Sequence, residues 1–107
     1  MSFETTMNRG FMMKFDNGFK ISVQFGPMNY CDKKGSGDWD EPAKQDHWEA
    51  TSAEIAVFDG DSRFIDIRED DQVVGWLSTD TVAKVITIVS SAKTSNEISK
   101  KVKSLNL

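Results

Sequence analysis

The stretch Phe11-Met-Met-Lys-Phe-Asp-Asn-Gly-Phe-Lys-Ile-Ser-Val-Gln-Phe25 decides the fold class of this chain. Apolar side chains recur at every second position on both sides of Asn17-Gly18, which is the pattern of two half-buried strands. Asn-Gly tolerates the positive φ angles of a type I′ turn, whose twist matches that of the flanking strands. We therefore expect an antiparallel hairpin over residues 10–26. The face of this hairpin that points away from the core would carry Met12, Lys14, Ser22 and Gln24.

The alternation returns later in the chain and predicts a second hairpin around the acidic turn Asp59-Gly60-Asp61. Its alternating apolar positions are Ala53, Ile55 and Val57 before the turn and Phe64, Ile65 and Ile67 after it. A short strand is predicted over Val73–Leu77, where Gly75 weakens the strand and is typical of a β-bulge. These segments give five strands.

The last part of the chain predicts helices. Ser78-Thr79-Asp80 supplies N-cap oxygens, and Val82, Val85, Ile86 and Val89 follow at helical spacing. The many β-branched residues leave a buried strand open as the alternative, because branching at Cβ lowers helix propensity. Thr94-Ser-Asn-Glu97 has the form of a capping box and precedes a second apolar stripe, Ile98, Val102 and Leu105.

These elements predict an α+β fold: an antiparallel sheet of about five strands, two hairpins plus one strand, followed by one or two C-terminal helices packed on one face. A chain of 107 residues with 38% hydrophobic and 28% charged residues favours a single folded domain. Its expected parts are an N-terminal arm at residues 1–9, the hairpin at 10–26, a long loop at 27–51, strands within 52–77 and a helical C-terminus at 78–107.

Charge and cysteine content restrict the classes of function. A net charge of −4 argues against a protein that works mainly by neutralising nucleic-acid phosphates. Cys31 is the only cysteine, so we expect neither an intramolecular disulfide nor a cysteine-pair zinc site, and a reducing cytoplasm fits best. No apolar run approaches ~18 residues, so no membrane contact is expected. Asp38-Trp-Asp40-Glu-Pro lacks the glycine and the terminal glutamate of a calcium-binding loop, and neither metal nor cofactor is predicted.

The long loop at residues 27–51 is the best candidate for a functional site. Hairpin connections usually take about 2–5 residues, and a longer excursion costs ordering entropy that binding would justify. Lys33-Lys34-Gly35-Ser36-Gly37 is able to curl its backbone N–H groups into a nest for an anion, although a flexible loop tip is the alternative.

The same loop contains Tyr30, Trp39 and Trp48. We expect these aromatic side chains to stack on bases or to cover an apolar patch of a partner. The rival interpretation is that they pin the loop to the sheet. The predicted ligand-binding residues are Asn29, Tyr30, Lys33, Lys34, Gly35, Gly37, Trp39 and Trp48.

No catalytic residue is predicted. Cys31 and His47 lie in the same loop, but a thiolate nucleophile requires a base within hydrogen-bond reach and a third group that orients the base. A small packed cysteine and a surface histidine explain the two residues more simply. We therefore expect a binding protein and not an enzyme.

Several segments resemble a group of small bacteriophage proteins. The pattern is Phe15-x-Asn17-Gly18, Ile21-Ser-Val-Gln-Phe-Gly-Pro27 and Asn29-Tyr-Cys31, followed by Ala53-Glu-Ile-Ala56 and Val74-Gly-Trp76. The resemblance covers about residues 10 to 90, leaves residues 32–48 unmatched and transfers no catalytic residue. It implies a viral accessory protein that acts in the cytoplasm of an infected cell.

Two functions follow as expectations. The first is sequestration of a small anionic, nucleotide-type signal of host defence by the long loop. The second is inhibition of a host enzyme or nucleic-acid-binding protein through an acidic surface that carries tryptophans. Self-association is expected with either function, because a small domain gains stability when it pairs a sheet face with a second copy.

Overall fold

The computed structural model describes all residues from Met1 to Leu107 and consists of one antiparallel sheet with two helices on one face. The strands are β1 (Ser2–Thr5), β2 (Gly10–Lys14), β3 (Lys20–Gln24), β4 (Ala53–Phe58), β5 (Phe64–Ile65) and β6 (Val73–Leu77). The helices are α1 (Thr79–Ser91) and α2 (Ser95–Lys103). The predicted α+β class is confirmed, and the helical interpretation of the β-branched segment is the right one.

The sheet runs in the order β1-β2-β3-β4, and β5 and β6 share the far edge of β4. The segment predicted as an arm at residues 1–9 contains β1, in which Phe3 lies opposite Met13 of β2. Sequence pattern missed this strand because Ser2–Thr5 has a single apolar residue and no alternation to detect. Its structure comes from pairing with the neighbouring hairpin.

The core lies between the sheet and the helices. Sixteen buried residues form it, with Ile21 and Val57 facing each other on neighbouring strands and Val85, Val89 and Ile98 contributed by the helices. Helix α1 packs on β3 and β4, whereas α2 packs on β5 and on α1. No helix is both long and apolar enough to cross a bilayer.

Both helices begin with a side-chain cap. The Ser78 hydroxyl accepts a hydrogen bond from the Thr81 N–H at 3.2 Å, and the Thr94 hydroxyl accepts one from the Glu97 N–H at 3.1 Å. The Glu97 carboxylate accepts from the Lys93 N–H, one residue before the N-cap, and not from the N-cap itself as a standard capping box would require.

The turn of the first hairpin differs from the predicted type I′ turn. Only Gly18 has a positive φ, of 89°, and the Phe15 N–H donates to the Phe19 carbonyl at 2.9 Å across a three-residue loop. Asn17 has two roles: its Oδ1 accepts from the Phe19 N–H at 3.1 Å within the turn, and its Nδ2 donates to the carbonyls of Val89 and Ala92, at 2.9 Å each. Asn17 therefore satisfies two carbonyls at the C-terminal end of α1, which have no partner within the helix.

The second hairpin repeats this turn with a different residue at the left-handed position. The Asp59 N–H donates to the Arg63 carbonyl at 2.9 Å, and Ser62 takes the place of Gly18 with a φ of 61°. A side chain in this region costs roughly 1–2 kcal/mol because Cβ crowds the neighbouring carbonyl.

Exchange of the residues at these two turn positions should change stability in opposite directions. Ser62→Gly should raise the free energy of unfolding by about 0.5–1 kcal/mol, because it relieves the crowding at Cβ. Gly18→Ser should lower it by about 1 kcal/mol for the converse reason. Urea unfolding followed by circular dichroism measures both changes. A loss of stability in Ser62→Gly would contradict the turn geometry.

Candidate functional site

The long loop is an ordered part of the structure, and Glu54 of β4 holds its first segment. The Glu54 carboxylate accepts hydrogen bonds from Asn29 Nδ2 at 3.1 Å and from the Tyr30 N–H at 3.0 Å. Asn29 Oδ1 in turn accepts from the Gly26 N–H at 2.9 Å. Asn29, one of the predicted ligand-binding residues, therefore uses its side chain to shape the loop.

Asp32 closes the loop by joining its beginning to its end. Its carboxylate accepts from the N–H groups of Thr51 and Ser52 at 3.0 and 2.9 Å, and from the Ser52 hydroxyl at 3.0 Å. The Asp32 N–H donates to the same hydroxyl at 2.8 Å. Partial desolvation raises the pKa of the Asp32 carboxyl, but the hydrogen bonds from Thr51 and Ser52 outweigh it and lower the pKa to about 2.

The inner side of the loop is buried apart from the main core. Cys31, Pro27 and Pro42 are fully buried, and Cys31 Sγ donates to the Gly26 carbonyl at 3.4 Å. Burial raises the pKa of the Cys31 thiol, and the charges of Asp32 and Glu54 raise it further. No hydrogen bond joins Cys31 to His47, which is exposed. A buried thiol with a raised pKa is a poor nucleophile, so this pair offers no catalytic chemistry.

Two lysines of the loop, Lys33 and Lys34, each lie over an aromatic ring. Lys34 Nζ is 4.7 Å from the centroid of the Tyr30 ring, and Lys33 Nζ is 5.7 Å from that of Trp48. The Trp48 indole N–H donates to the Phe25 carbonyl at 3.0 Å, and its ring is half-buried. Trp48 therefore ties the loop to the end of the first hairpin, as the alternative interpretation proposed.

Three of the five backbone N–H groups of the predicted anion nest at Lys33–Gly37 donate to carbonyls of the loop itself. The N–H groups of Lys34, Gly35 and Ser36 donate to the carbonyls of Cys31, Pro27 and Lys33, at distances between 2.7 and 3.0 Å. Turn formation within the loop therefore uses three of the N–H groups that an anion would need. The left-handed φ of Gly35, 78°, serves one of these turns.

The remaining predicted residues lie farther along the loop. Gly37 faces Glu41, because a Cβ on this glycine would lie 3.3 Å from Glu41 Cγ. Trp39 is 51% exposed and makes no side-chain hydrogen bond. The structure thus brings Tyr30 close to Lys34 and Trp48 close to Lys33, and it leaves Trp39 in solvent.

A bulge in β6 meets the loop at Tyr30. Leu77 lies opposite Ala53 and Val74 opposite Ile55, so Gly75 and Trp76 together face one residue of β4, which confirms the predicted bulge. A Cβ on Gly75 would lie 2.3 Å from Tyr30 Cβ, so only glycine admits this approach. The Trp76 N–H donates to the Tyr30 carbonyl at 2.8 Å.

Two aromatic rings at the contact between the bulge and the loop are exposed to solvent. Tyr30 is 54% exposed and Trp76 is 60% exposed. Trp76 has a φ of 60°, a left-handed conformation that is rare for a bulky residue and costs of order 1–3 kcal/mol. We call this pair the Tyr30–Trp76 surface. Sequence reasoning did not include Trp76 among the site residues, although Gly75 marked the bulge that positions it.

Acidic side chains surround a shallow hollow beside the start of β6. The hollow is lined by Asp66, Asp70, Asp71, Gln72 and Val73. Asp71 forms an ion pair with Arg68, whereas Asp66 and Asp70 take part in no salt bridge. Carboxylates without salt-bridge partners therefore lie beside the start of β6, and Trp76 lies near its end. No group of three or more metal-ligating side chains is arranged to hold a metal ion.

An apolar cleft of about 340 Å³ opens between the first turns of α1 and the sheet. Nine of its twelve lining residues are hydrophobic and none is charged; among them are Phe11, Phe25, Leu77, Val82 and Ile86. None of the predicted ligand-binding residues lines this cleft. The rim includes Thr51 and Ser52, the residues that Asp32 holds in place.

Comparison with known proteins gives no assignment: no family model, no curated protein and no solved structure matches this chain. The geometry of the loop and of β6 therefore carries the functional argument.

The hydrogen bonds of Asp32 predict a pH dependence of the loop. Because the pKa of the Asp32 carboxyl is lowered to about 2, the stability that this carboxylate gives to the closed loop is complete above the ordinary aspartate pKa of ~3.9. That stability is lost as the pH falls through about 2. The amide NMR signals of Thr51 and Ser52 should titrate with that low midpoint, and Asp32→Asn should abolish the transition. Asp38→Asn, an exposed carboxyl in the same loop, is the control. A midpoint near pH ~4 would refute the closed loop.

Proposed function

We propose that this chain is a non-enzymatic binding protein that docks a basic protein partner on the Tyr30–Trp76 surface. The observation that carries the proposal is the conformation of Trp76, whose backbone is left-handed at a φ of 60° while its ring is 60% exposed. Backbone strain at a residue whose ring is left in solvent is typical of positions under functional constraint.

The rigidity of the surface supports recognition. Hydrogen bonds that Asn29 and Tyr30 donate to the Glu54 carboxylate fix the loop on one side, and the bulge of β6 fixes the other. Two large rings that are already held in place lose little conformational entropy when a partner covers them. Tyrosine and tryptophan are also the residues most often found at the energetic centre of protein interfaces.

The charges nearby favour a basic partner. Asp66 and Asp70 are without salt-bridge partners beside Val73, and the whole chain has a net charge of −4. Arginine and lysine side chains are attracted to such carboxylates and also lie favourably over the face of a tryptophan ring. On the phage resemblance, the partner would be a host protein that this chain inhibits in the host cytoplasm.

Replacement of single aromatic residues tests the proposal. An array of arginine- and lysine-rich peptides, with matched peptides that carry glutamine instead, serves as the probe. Trp76→Ala and Tyr30→Ala should each weaken binding to basic peptides at least about tenfold, as expected for aromatic anchors. Trp39→Ala should have no effect, because this equally exposed tryptophan lies outside the surface.

The same experiment also defines the outcomes that would contradict the proposal. Binding should weaken as salt rises and in Asp66→Asn with Asp70→Asn, since charge guides the association. If basic and glutamine-substituted peptides bound alike, or if Trp76→Ala bound as well as wild type, the surface would not be the docking site.

A second candidate function is sequestration of a small anionic, nucleotide-type ligand. The observation that favours it is the position of Lys34 Nζ, 4.7 Å from the centroid of the exposed Tyr30 ring. This arrangement offers an ammonium for a phosphate next to an aromatic face for a base. The consumption of the loop N–H groups argues against tight binding of this kind and places this function second.

Thermal-shift measurements with cyclic and linear nucleotides decide between the candidates. Sequestration predicts a rise in melting temperature that Lys33→Gln with Lys34→Gln abolishes, because ligand binding stabilises only the folded chain. Lys84→Gln with Lys100→Gln, which removes two exposed helical lysines, is the matched control. No shift of the wild type at millimolar ligand would exclude this function without bearing on the Tyr30–Trp76 surface.

A further inference from the structure

We propose that β1 (Ser2–Thr5) is a dimerisation edge, which pairs antiparallel with β1 of a second copy so that Phe3 lies opposite Phe3. The proposal is independent of the binding function above. It rests on the hydrogen-bonding groups that the edge leaves open, on the one register that suits both copies, and on the charges that this register brings together.

The edge has open hydrogen-bonding groups. Strand β1 pairs only with β2, and the Thr6 N–H points toward β2, where it donates to the Gly10 carbonyl at 3.1 Å. Backbone direction alternates along an antiparallel strand, so the N–H and C=O groups of Phe3 and Thr5 point away from the sheet. Proline, lysine or a bulge protects many exposed edges against pairing. Ser2–Thr5 has none of these, and its protection is limited to its short length and the single charge of Glu4.

Symmetry selects the register. A two-fold axis perpendicular to the sheet makes the strands antiparallel and keeps the helices of both copies on one side, so each residue must face one whose side chain points to the same side. With Phe3 opposite Phe3, the outward groups of both copies form a hydrogen-bonded pair, and Thr5 faces Met1 of the second copy. A shift by two residues would instead place Glu4 directly opposite Glu4, which like charges disfavour.

The chosen register is complementary on both faces. On the helix side, four apolar side chains form a row across the interface: Met13 and Phe3 of one copy, then Phe3 and Met13 of the second copy. This row covers the Phe3 ring, which is 80% exposed in the single chain. On the other side Glu4 lies opposite Ser2 of the second copy, and that serine is paired with its own Lys14. The small serine leaves room for Glu4 to meet the lysine of the second copy across a backbone spacing of about 10 Å.

The complementarity argues for a second copy and not for an unrelated strand. A foreign strand would need an apolar residue, a small residue and a lysine in matching positions, whereas this chain supplies all of them in the same register. The opposite edge of the sheet offers no equivalent, because β5 has only two residues and shares that edge with β6. The dimer is therefore closed, and its sheet does not extend further.

Sedimentation and light scattering of the whole chain test the proposal. The wild type should have about twice the monomer mass of 12.0 kDa at micromolar concentration. Thr5→Pro removes an outward N–H while the bonds between β1 and β2 persist, so it should give a folded monomer. Thr5→Ala keeps that N–H and should remain dimeric. A wild type that stays monomeric up to millimolar concentration would overturn the proposal.

Charge-exchange variants and a cysteine variant test the register without the proline substitution at residue 5. Glu4→Lys and Lys14→Glu should each raise the dimer dissociation constant about tenfold, and the double variant should recover wild-type affinity. Phe3→Cys should form a disulfide-linked dimer on oxidation, because facing residues of a hydrogen-bonded pair lie about 5.5 Å apart at Cα. A dimer that no charge variant weakens, or whose Phe3→Cys form does not crosslink, would place the interface elsewhere.

Discussion

The position of the long loop depends on two carboxylates, Asp32 and Glu54. Both accept hydrogen bonds from backbone N–H groups, so they fix the path of the chain as well as the position of side chains. Charge-assisted hydrogen bonds of this kind are about twice as strong as neutral ones, and an unpaired N–H in these places would be costly. The loop is therefore held as part of the fold, and its own Cys31, Pro27 and Pro42 are buried.

The loop and the bulge of β6 support each other. Tyr30 is able to approach β6 only because Gly75 has no side chain, and the Tyr30 carbonyl then accepts the N–H of Trp76. That hydrogen bond helps to hold Trp76 in its left-handed conformation, which the strand alone would not favour. The exposed rings are thus a consequence of tertiary contact between segments far apart in sequence, and the loop acts as a support for them.

The difference between local sequence patterns and contacts between distant segments explains which features could be predicted from the sequence. The hairpin strands, Val73–Leu77, the bulge and both helices follow from local periodicity and caps, and all of these occur. Asn17 looked like a turn former, but its amide binds carbonyls at the end of α1 more than seventy residues away, a partner that no local pattern reveals.

The predictions for the loop depended on its internal hydrogen bonds in the same way. The anion nest required free N–H groups at Lys34, Gly35 and Ser36, and turns within the loop use them. Tyr30 and Gly75-Trp76 lie far apart in the sequence, and their contact is visible only in three dimensions. Spatial proximity, and not residue type, was the missing information.

The width of the sheet accounts for the exposure of Phe3 and for the apolar cleft beside Phe11. A helix is about 10 Å across and strands are about 4.8 Å apart, so each helix covers roughly two strands. Helix α1 lies on β3 and β4 and α2 lies on β5, so the helical layer covers β2 only in part and does not extend over β1. Phe3 is exposed for this reason, and the cleft beside Phe11 opens where the helical layer ends. A second copy that continues the sheet from β1 adds apolar neighbours at the place where the chain's own helices do not reach.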